Sequence, residues 1–419
     1  YLLWDHGSKQ IMDCHKTDHC VLRYGCVSTE HCYKSFFSVD CDDCTDVVLC
    51  KDCVGCINCF GCFGLRGQSY RIFNEPYSKE AYFNKLKEID LGSYTGFQIA
   101  RDKAYTFWKT KPHKFMHGIQ NVNVSGDYIY ESKNAWQCYR VRGVEDCKYT
   151  QNILEKSAKD CYDLSNFGEG AELCYETLIS GRGVSNIKFC SQVYINSRNI
   201  EYSVYCRNVS DCFGCISVRD KKYCIFNKQY TREEYFVLVS KIKAHMSAMP
   251  YIDRLGRGYK YGEFFPPELS PFPYRISEAY EFFPLSEQEA KQQGFQWYDT
   301  AHQKYSVTLL FSQLPDHIRD AQDTIVNEVI SCEHEGRCDQ ECTGAFRIIP
   351  EEFSFLRRMN IPLPRLCSNC RQYERLNLRN TPHFYHRTCA KCERDIETSY
   401  SPDRKEIVYC EACYQSEIL

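Results

Sequence analysis

The sequence predicts a mainly β protein: two parallel β-solenoid (β-helix) modules with short helices, then a small zinc-binding α+β module at the carboxy terminus. Three observations lead there. The chain carries an internal duplication, its amino-terminal cysteines keep a fixed three-residue register, and its last third holds paired cysteines at metal-binding spacing.

The duplication comes first. Residues 58–89 align without a gap on 211–242, at an offset of 153, with 14 of the 32 positions identical. Each copy runs from a cysteine-rich stretch through Tyr70-Arg71-Ile72-Phe73-Asn74 or Tyr223-Cys224-Ile225-Phe226-Asn227 into a helix. Ser78 and Thr231 are the expected N-caps, and Thr231 with Glu234 forms a capping box. A shorter repeat lies inside the second copy: Cys147, Cys161, Cys174, Ile187, Ile200 and Cys212 recur every 12 to 14 residues, usually after Asp or Asn. An Asx turn feeding a short strand, repeated, is what a parallel solenoid requires, whether one unit is a whole coil or half of one. In the first copy the eleven cysteines from Cys14 to Cys62 all leave remainder two on division by three. Stacked inward positions explain that register, because cysteine is a small hydrophobe that layers without voids.

These boundaries divide the chain into a first module (1–77), a helical connection (78–110), a second module (111–230), a helix (231–249), a connector (250–330), a treble-clef-like zinc module (331–380) and a zinc ribbon (381–419). The connector begins with a stretch rich in Pro, Gly and aromatic residues, 250–275, read as extended and tied to the solenoid by its aromatics, the alternative being a partner-binding motif at Phe264-Phe265-Pro266-Pro267. Ser286 and Glu289 cap a short helix stopped by Gly294, and a second helix is expected over 315–330.

Chemistry is weighed against packing at each cluster. Cys53, Cys56, Cys59 and Cys62 approach an iron-sulfur run, but the spacing and following residue differ from the ferredoxin pattern. The duplication places Val209 opposite Cys56, Ser197 opposite Cys44 and Ser203 opposite Cys50, as expected of small core sites. A disulfide ladder and a metal-storage or redox role are the alternatives. Asp40, Asp42, Asp43, Asp46 and Asp52 are turn formers, or else the calcium face of a β-helical carbohydrate-active enzyme. A formal charge of −3, a pI near 6.5 and a mean hydropathy of −0.51 exclude a strongly basic chain, and no apolar run approaches membrane-spanning length. The chain opens Tyr1-Leu2-Leu3-Trp4-Asp5, with no Met, basic n-region or apolar h-region, so the start reads as truncated and a leader before Tyr1 stays open.

The metal signal is the most specific one. Cys389-x2-Cys392 and Cys410-x2-Cys413, seventeen residues apart, suit a tetrahedral zinc, with the hairpin 395–409 turning at Ser401-Pro402-Asp403-Arg404. Cys338-x3-Cys342 and Cys367-x2-Cys370 form a second four-thiolate set. Gly344, Phe346, Glu352, Phe355, Pro364, Arg365 and Cys367-x2-Cys370-Arg371 resemble a bacterial zinc-ribbon or treble-clef domain. That family has two residues between the cysteines of its first knuckle, and this chain has three, so Cys332 or His334 is a candidate substitute for Cys338. His383 and His386 lie near enough to compete. Four thiolates leave no open position, so the expected cofactors are two structural Zn2+.

Between 357 and 387 stand seven arginines against one acidic residue, Glu374. Arg365, Arg371, Arg375 and Arg379 are the candidate nucleic-acid contacts, the alternative being a face docked on the solenoid. Over most of its length the chain resembles uncharacterised proteins of candidate-phylum bacteria that combine cysteine-rich solenoid repeats, the YCIFNKQY helix junction and this zinc pair. The resemblance implies a cytoplasmic bacterial protein and names no substrate. The expected function is a non-enzymatic zinc-binding recognition scaffold contacting nucleic acid, a ribonucleoprotein or a protein partner, with no membrane.

Overall fold

A left-handed backbone at every third residue builds the amino-terminal half. The structure is a computed structural model that describes residues 2–6, 9–153, 158–165, 178–181, 188–194, 196–298 and 305–418. Asp40, Asp43, Asp46, Leu49 and Asp52 all have φ between 50° and 54°. Asp, Asn and Gly tolerate that region best, which is why they stand so often before the repeat's cysteines. Each such residue turns a corner, and the next one (Cys41, Cys44, Val47, Cys50, Cys53) points inward with 1 % exposure or less. Four corners of three residues return the chain one layer on. Tyr33 pairs with Thr45, Thr45 with Ile57, and Ile57 with Ser69, all parallel and all twelve residues apart. One sequence unit is therefore a whole turn of chain.

The main sheet of this first stack runs in order from Lys9–Met12 through Val21–Tyr24, Tyr33–Phe36, Thr45–Val48 and Ile57–Phe60 to Ser69–Ile72 and the antiparallel Glu75–Pro76. A second face begins with Leu2–His6, Cys14–Asp18 and Val27–Glu30 and continues through single bridges. The second stack, from Gly118–Ile119 to Lys222–Ile225, pairs at less regular offsets: twelve for Ala135↔Cys147, fourteen for Glu145↔Lys159 and thirteen for Ser191↔Val204. Cys174 and Ile187 of the shorter repeat lie outside the described residues.

The thiols act as core atoms. Cys44 Sγ faces the carbonyl oxygens of Asp42 at 3.2 Å and Cys53 at 3.4 Å, and Cys50 Sγ those of Val48 and Cys59 at 3.5 Å each. Serine takes the same role: Ser203 Oγ accepts from Cys215 N–H at 2.9 Å, as Ser38 Oγ does from Cys50 N–H at 3.2 Å. None of the described cysteines forms a disulfide.

Both stacks end alike. Asn74 Oδ1 accepts from Phe63 N–H and its Nδ2 donates to Phe63 O, each at 2.9 Å, and Asn227 treats Ile216 in the same way at 2.8 and 2.9 Å. The amide thus occupies the hydrogen bonds that another layer would make, which blunts an open sheet edge. A helix follows each: α1 (Lys79–Glu88), capped by Ser78, and α3 (Arg232–Ala248), with the Thr231–Glu234 capping box. Between them α2 (Tyr94–Lys109) buries Phe97, Ala100, Ala104 and Trp108.

The connector departs from expectation in one place. Ser286 caps the helix Glu287–Gln292 as read, but 315–330 forms two short 3-10 turns, Ile318–Asp320 and Asp323–Asn327. Leu314, Ile318, Ala321 and Ile325 have helical spacing, yet separate turns place them against Phe353 and Phe355. Upstream, Phe265 packs edge-on to Tyr202, whose hydroxyl donates to Glu263 O at 2.9 Å, so this segment is anchored on the second stack. The whole is mainly β, with eight helices among the described residues and no closed barrel. None of the described helices is long and apolar enough to cross a membrane.

Inward positions should accept small side chains and reject large ones. Cys56→Val is expected to cost less than about 1.5 kcal/mol, whereas Cys56→Phe should overpack the layer and cost at least about 1–3 kcal/mol. Urea unfolding of the two variants checks this.

Candidate metal centres

The strand Ile330–Ser331 pairs antiparallel with Ala345–Phe346, and Cys332 N–H donates to Gly344 O at 2.8 Å. This sets Cys332 beside Cys342. The other two thiols come from the helix Ser368–Leu376, with Cys367 as its N-cap residue and Cys370 in its first turn. Cys332, Cys342, Cys367 and Cys370 are all buried, and their sulfurs lie within 4.8 Å of one another. Cys367–Cys370 is 3.5 Å, and Cys332–Cys370 and Cys342–Cys367 are each 3.9 Å. A tetrahedral ion with metal–sulfur bonds of about 2.3 Å requires sulfur–sulfur edges of about 3.8 Å. The group can hold a metal ion. Cys332 therefore completes the set in place of Cys338, because pairing of the two short strands overrides proximity in sequence.

The second group repeats the plan. Cys389, Cys392, Cys410 and Cys413 also lie within 4.8 Å of one another, with Cys392–Cys410 at 3.7 Å. Cys413 lies in the first turn of the helix Glu411–Ile418, which begins directly after Cys410. In both groups the first sulfur accepts from the third ligand's backbone: Cys367 N–H to Cys332 and Cys410 N–H to Cys389, each at 3.2 Å. Burial opposes ionisation of Cys389, but the N–H groups of Cys410, Cys392 and Lys391 outweigh it and bring the thiol down to about 6. The expected hairpin is replaced. Asp395–Thr398 pairs antiparallel with Tyr385–Thr388, and Ile407–Tyr409 pairs in parallel with Pro112–Lys114. The Ile407–Tyr409 strand thus joins the segment that leads from α2 into the second stack.

The four arginines face inward. Arg375 and Arg379 are 5 % exposed. Arg371 Nη1 lies 2.8 Å from both Asp13 Oδ2 and Glu352 Oε1 and donates to Tyr24 Oη at 2.6 Å, while Arg375 Nη1 stands 3.2 Å from the same Asp13 oxygen. Arg379 Nη1 meets His15 Nε2 at 2.7 Å, and Arg365 donates to Phe311 O at 2.6 Å while stacking on Tyr94. Arg371, Arg375 and Arg379 thus join the carboxy-terminal segment to Asp13, His15 and Tyr24 of the first stack, while Arg365 ties it to the connector and α2. Of the two counterions, Glu352 is among the residues that carry the zinc-module resemblance, whereas Asp13 stands alone in the sequence with no spacing signal.

A second buried joint ties the module to the second stack. Asp127, fully buried, accepts from His117 N–H at 2.6 Å, His117 Nδ1 at 3.0 Å, Tyr128 N–H at 2.8 Å, Asn380 Nδ2 at 3.4 Å and the Ser399 hydroxyl. Burial opposes charge on both partners, but their mutual attraction raises the imidazole and lowers the carboxyl. Elsewhere, Asp40, Asp43, Asp46 and Asp52 sit at left-handed corners, Asp46 pairs with Lys34 and Asp52 with Arg66, while Asp42 stands 3.5 Å from His31. His383 packs on Phe283 and contacts Phe282 O at 3.1 Å, and His386 lies in the strand Tyr385–Thr388; neither is in a ligand group.

No family model and no curated protein matches the chain. Among solved structures it is similar to a proposed acetyltransferase from Desulfovibrio desulfuricans G20 at 10 % identity, covering 45 % of this chain and 52 % of that one, with a TM-score of 0.11. The chain thus spans about half the length of that protein. A likeness this weak carries no argument about fold or activity.

Asp13 supplies the next expectation. Burial raises its pKa, but Arg371 and Arg375 outweigh that and hold it below the usual carboxylate range. A depressed folded pKa gives stability that is complete above the unfolded value of about 3.9 and lost as pH falls through the folded one. Asp13→Ala, leaving two buried guanidinium groups short of a counterion, is expected to cost about 3–5 kcal/mol at pH 7. The deficit should shrink in acid, as followed by urea unfolding across pH 2–7.

Proposed function

We propose that the protein is a non-enzymatic recognition scaffold in which two structural zinc ions fix a carboxy-terminal clamp across two solenoid arms. The observation that carries this reading is the double role of the segment 331–419. It contains both four-cysteine groups, and its buried side chains reach the first stack through Arg371 and Asp13 and the second through Asn380, Ser399 and Asp127. Thiolate sets of this kind favour zinc, and four of them close its coordination, so the ions stabilise folding and do not activate water. In this reading each group is a treble-clef-like knuckle, its second cysteine pair placed at the start of a helix.

The arms then present the partner surface. Trp136, Tyr149 and Tyr162 are all more than one-third exposed on the second stack, and Lys148 Nζ lies 4.8 Å and 6.0 Å from the two tyrosine rings. Exposed aromatics on a rigid repeat suit a protein partner, because they bring large contact area at small entropic cost. Because Arg371, Arg375 and Arg379 contact side chains of the first stack, nucleic acid is the weaker reading of the partner.

Elemental analysis of the full chain, purified without oxygen, tests the clamp. Cys367→Ser and Cys410→Ser should each remove one tightly held zinc and open 331–419 to limited proteolysis. Iron in place of zinc, or an unchanged proteolytic pattern after zinc removal, would sink the reading.

A further inference from the structure

Cys338 and His334 are left over once the four thiols are assigned, and the loop that carries them is built to keep them together. Glu335 N–H donates to Cys332 O and Arg337 N–H to His334 O, each at 2.8 Å. Glu335, Gly336 and Glu341 take left-handed φ of 49°, 76° and 50°, and glycine suits the sharpest of these turns. The folded loop returns His334 and Cys338 to the side of Cys370. A ring nitrogen of His334, Cys338 Sγ and Cys370 Sγ lie within 4.8 Å of one another. Cys338–Cys370 is 3.7 Å, the same edge length as in the four-cysteine groups. His334 Nδ1 is buried with no hydrogen-bond partner among the described residues, a condition folded proteins seldom leave uncompensated.

We propose that His334, Cys338 and Cys370 hold a third metal ion beside the first, with the Cys370 thiolate bridging the two. The inference rests on the first four-cysteine group holding zinc. A thiolate sulfur has lone pairs enough for two ions, and Cys370 is the residue common to both sets. One imidazole and two thiolates select a borderline-soft divalent ion such as zinc over magnesium or calcium. Three protein donors leave one position open, as in zinc sites that exchange a ligand. His334 also lines a cavity of about 660 Å3 walled in part by Tyr94, Arg101, Glu333, Arg365 and Glu374. The fourth donor therefore comes from water or a small ligand. With a shared thiolate and an open position, this ion exchanges faster than the two closed ones.

The test uses the full chain loaded with excess zinc, desalted, and challenged with a colorimetric chelator. Three zinc ions per chain are expected, one of them released in a fast phase. Cys338→Ser and His334→Ala should each retain two ions with the slow release of the wild type and lose the fast phase. Wild-type protein that holds only two ions, with no change in either variant, overturns the third site. A fall to one ion in Cys338→Ser also overturns it, because Cys338 would then belong to the closed set. Failure of the parent reading looks different: Cys367→Ser would leave the zinc count unchanged.

Discussion

The narrow interior of a twelve-residue coil governs the rest of this structure. With only three residues between corners, the inward side chain meets backbone carbonyls of its own layer and the next. In the first stack cysteine, serine, threonine and valine fill most columns: Cys32, Cys44 and Cys56 stand in one, Ser35, Val47 and Cys59 in another, while the second stack adds Ile129, Ile153, Leu164 and Ile200. Cysteine predominates because its sulfur fills more volume than a hydroxyl and needs no strong hydrogen bond. Arg23 departs furthest from small side chains, being fully buried with Nη1 donating to Thr29 O at 2.9 Å. Burial opposes its charge, but Cys26, Cys32, Cys20 and Cys14 act against that. Burial likewise opposes ionisation of Cys26, while the Cys14 thiol and Arg23 bring it down to about 6.

Stacks of this kind must still be closed at their ends and held relative to other parts of the chain. Asn74 and Asn227 close the ends by imitating the next layer's backbone, and α1 and α3 continue from them. Lateral docking works differently. It uses buried charge at Asp13 and Asp127, groups whose removal strands their partners and whose geometry admits one arrangement. Apolar packing of Tyr24 and Phe36 against Phe355 supplies area around the first joint, while the ion pairs fix its orientation.

What the sequence made legible follows from how local each cause is. The three-residue cysteine register, the capping boxes at Thr231 and Ser286, and the Cys-x2-Cys pairs all act within a few residues, so pattern reading reaches them. Cys332 lies ten residues before Cys342, and only the pairing of Ile330–Ser331 with Ala345–Phe346 makes them neighbours. The partner of Arg371 is Asp13 at the other end of the chain, and the partner of Ile407–Tyr409 is Pro112–Lys114. Such pairings are set by tertiary packing, which an arginine-rich segment read alone does not reveal. The helix expected over 315–330 failed for a related reason: its apolar spacing is genuine, but separate turns bury the same residues.

The helix Ser368–Leu376 carries both a candidate metal group and the docking arginines, so an ion bound there would be coupled to docking. Cys367 and Cys370 belong to its amino-terminal end, and Arg371 and Arg375 follow at one and five residues beyond Cys370. An ion that fixes the two thiolates fixes the helix axis and its rotation, and so aims both guanidinium groups at Asp13. Conversely, a docked helix holds Cys367 and Cys370 in place before the ion arrives, so less ordering entropy remains to be lost on binding. Any ligand bound only by the docked state stabilises that state in proportion to the logarithm of its concentration. A metal ion held by the first group would thereby tighten the grip of the carboxy-terminal segment on the first stack, and Asn380 and Ser399 join the same segment to Asp127 of the second.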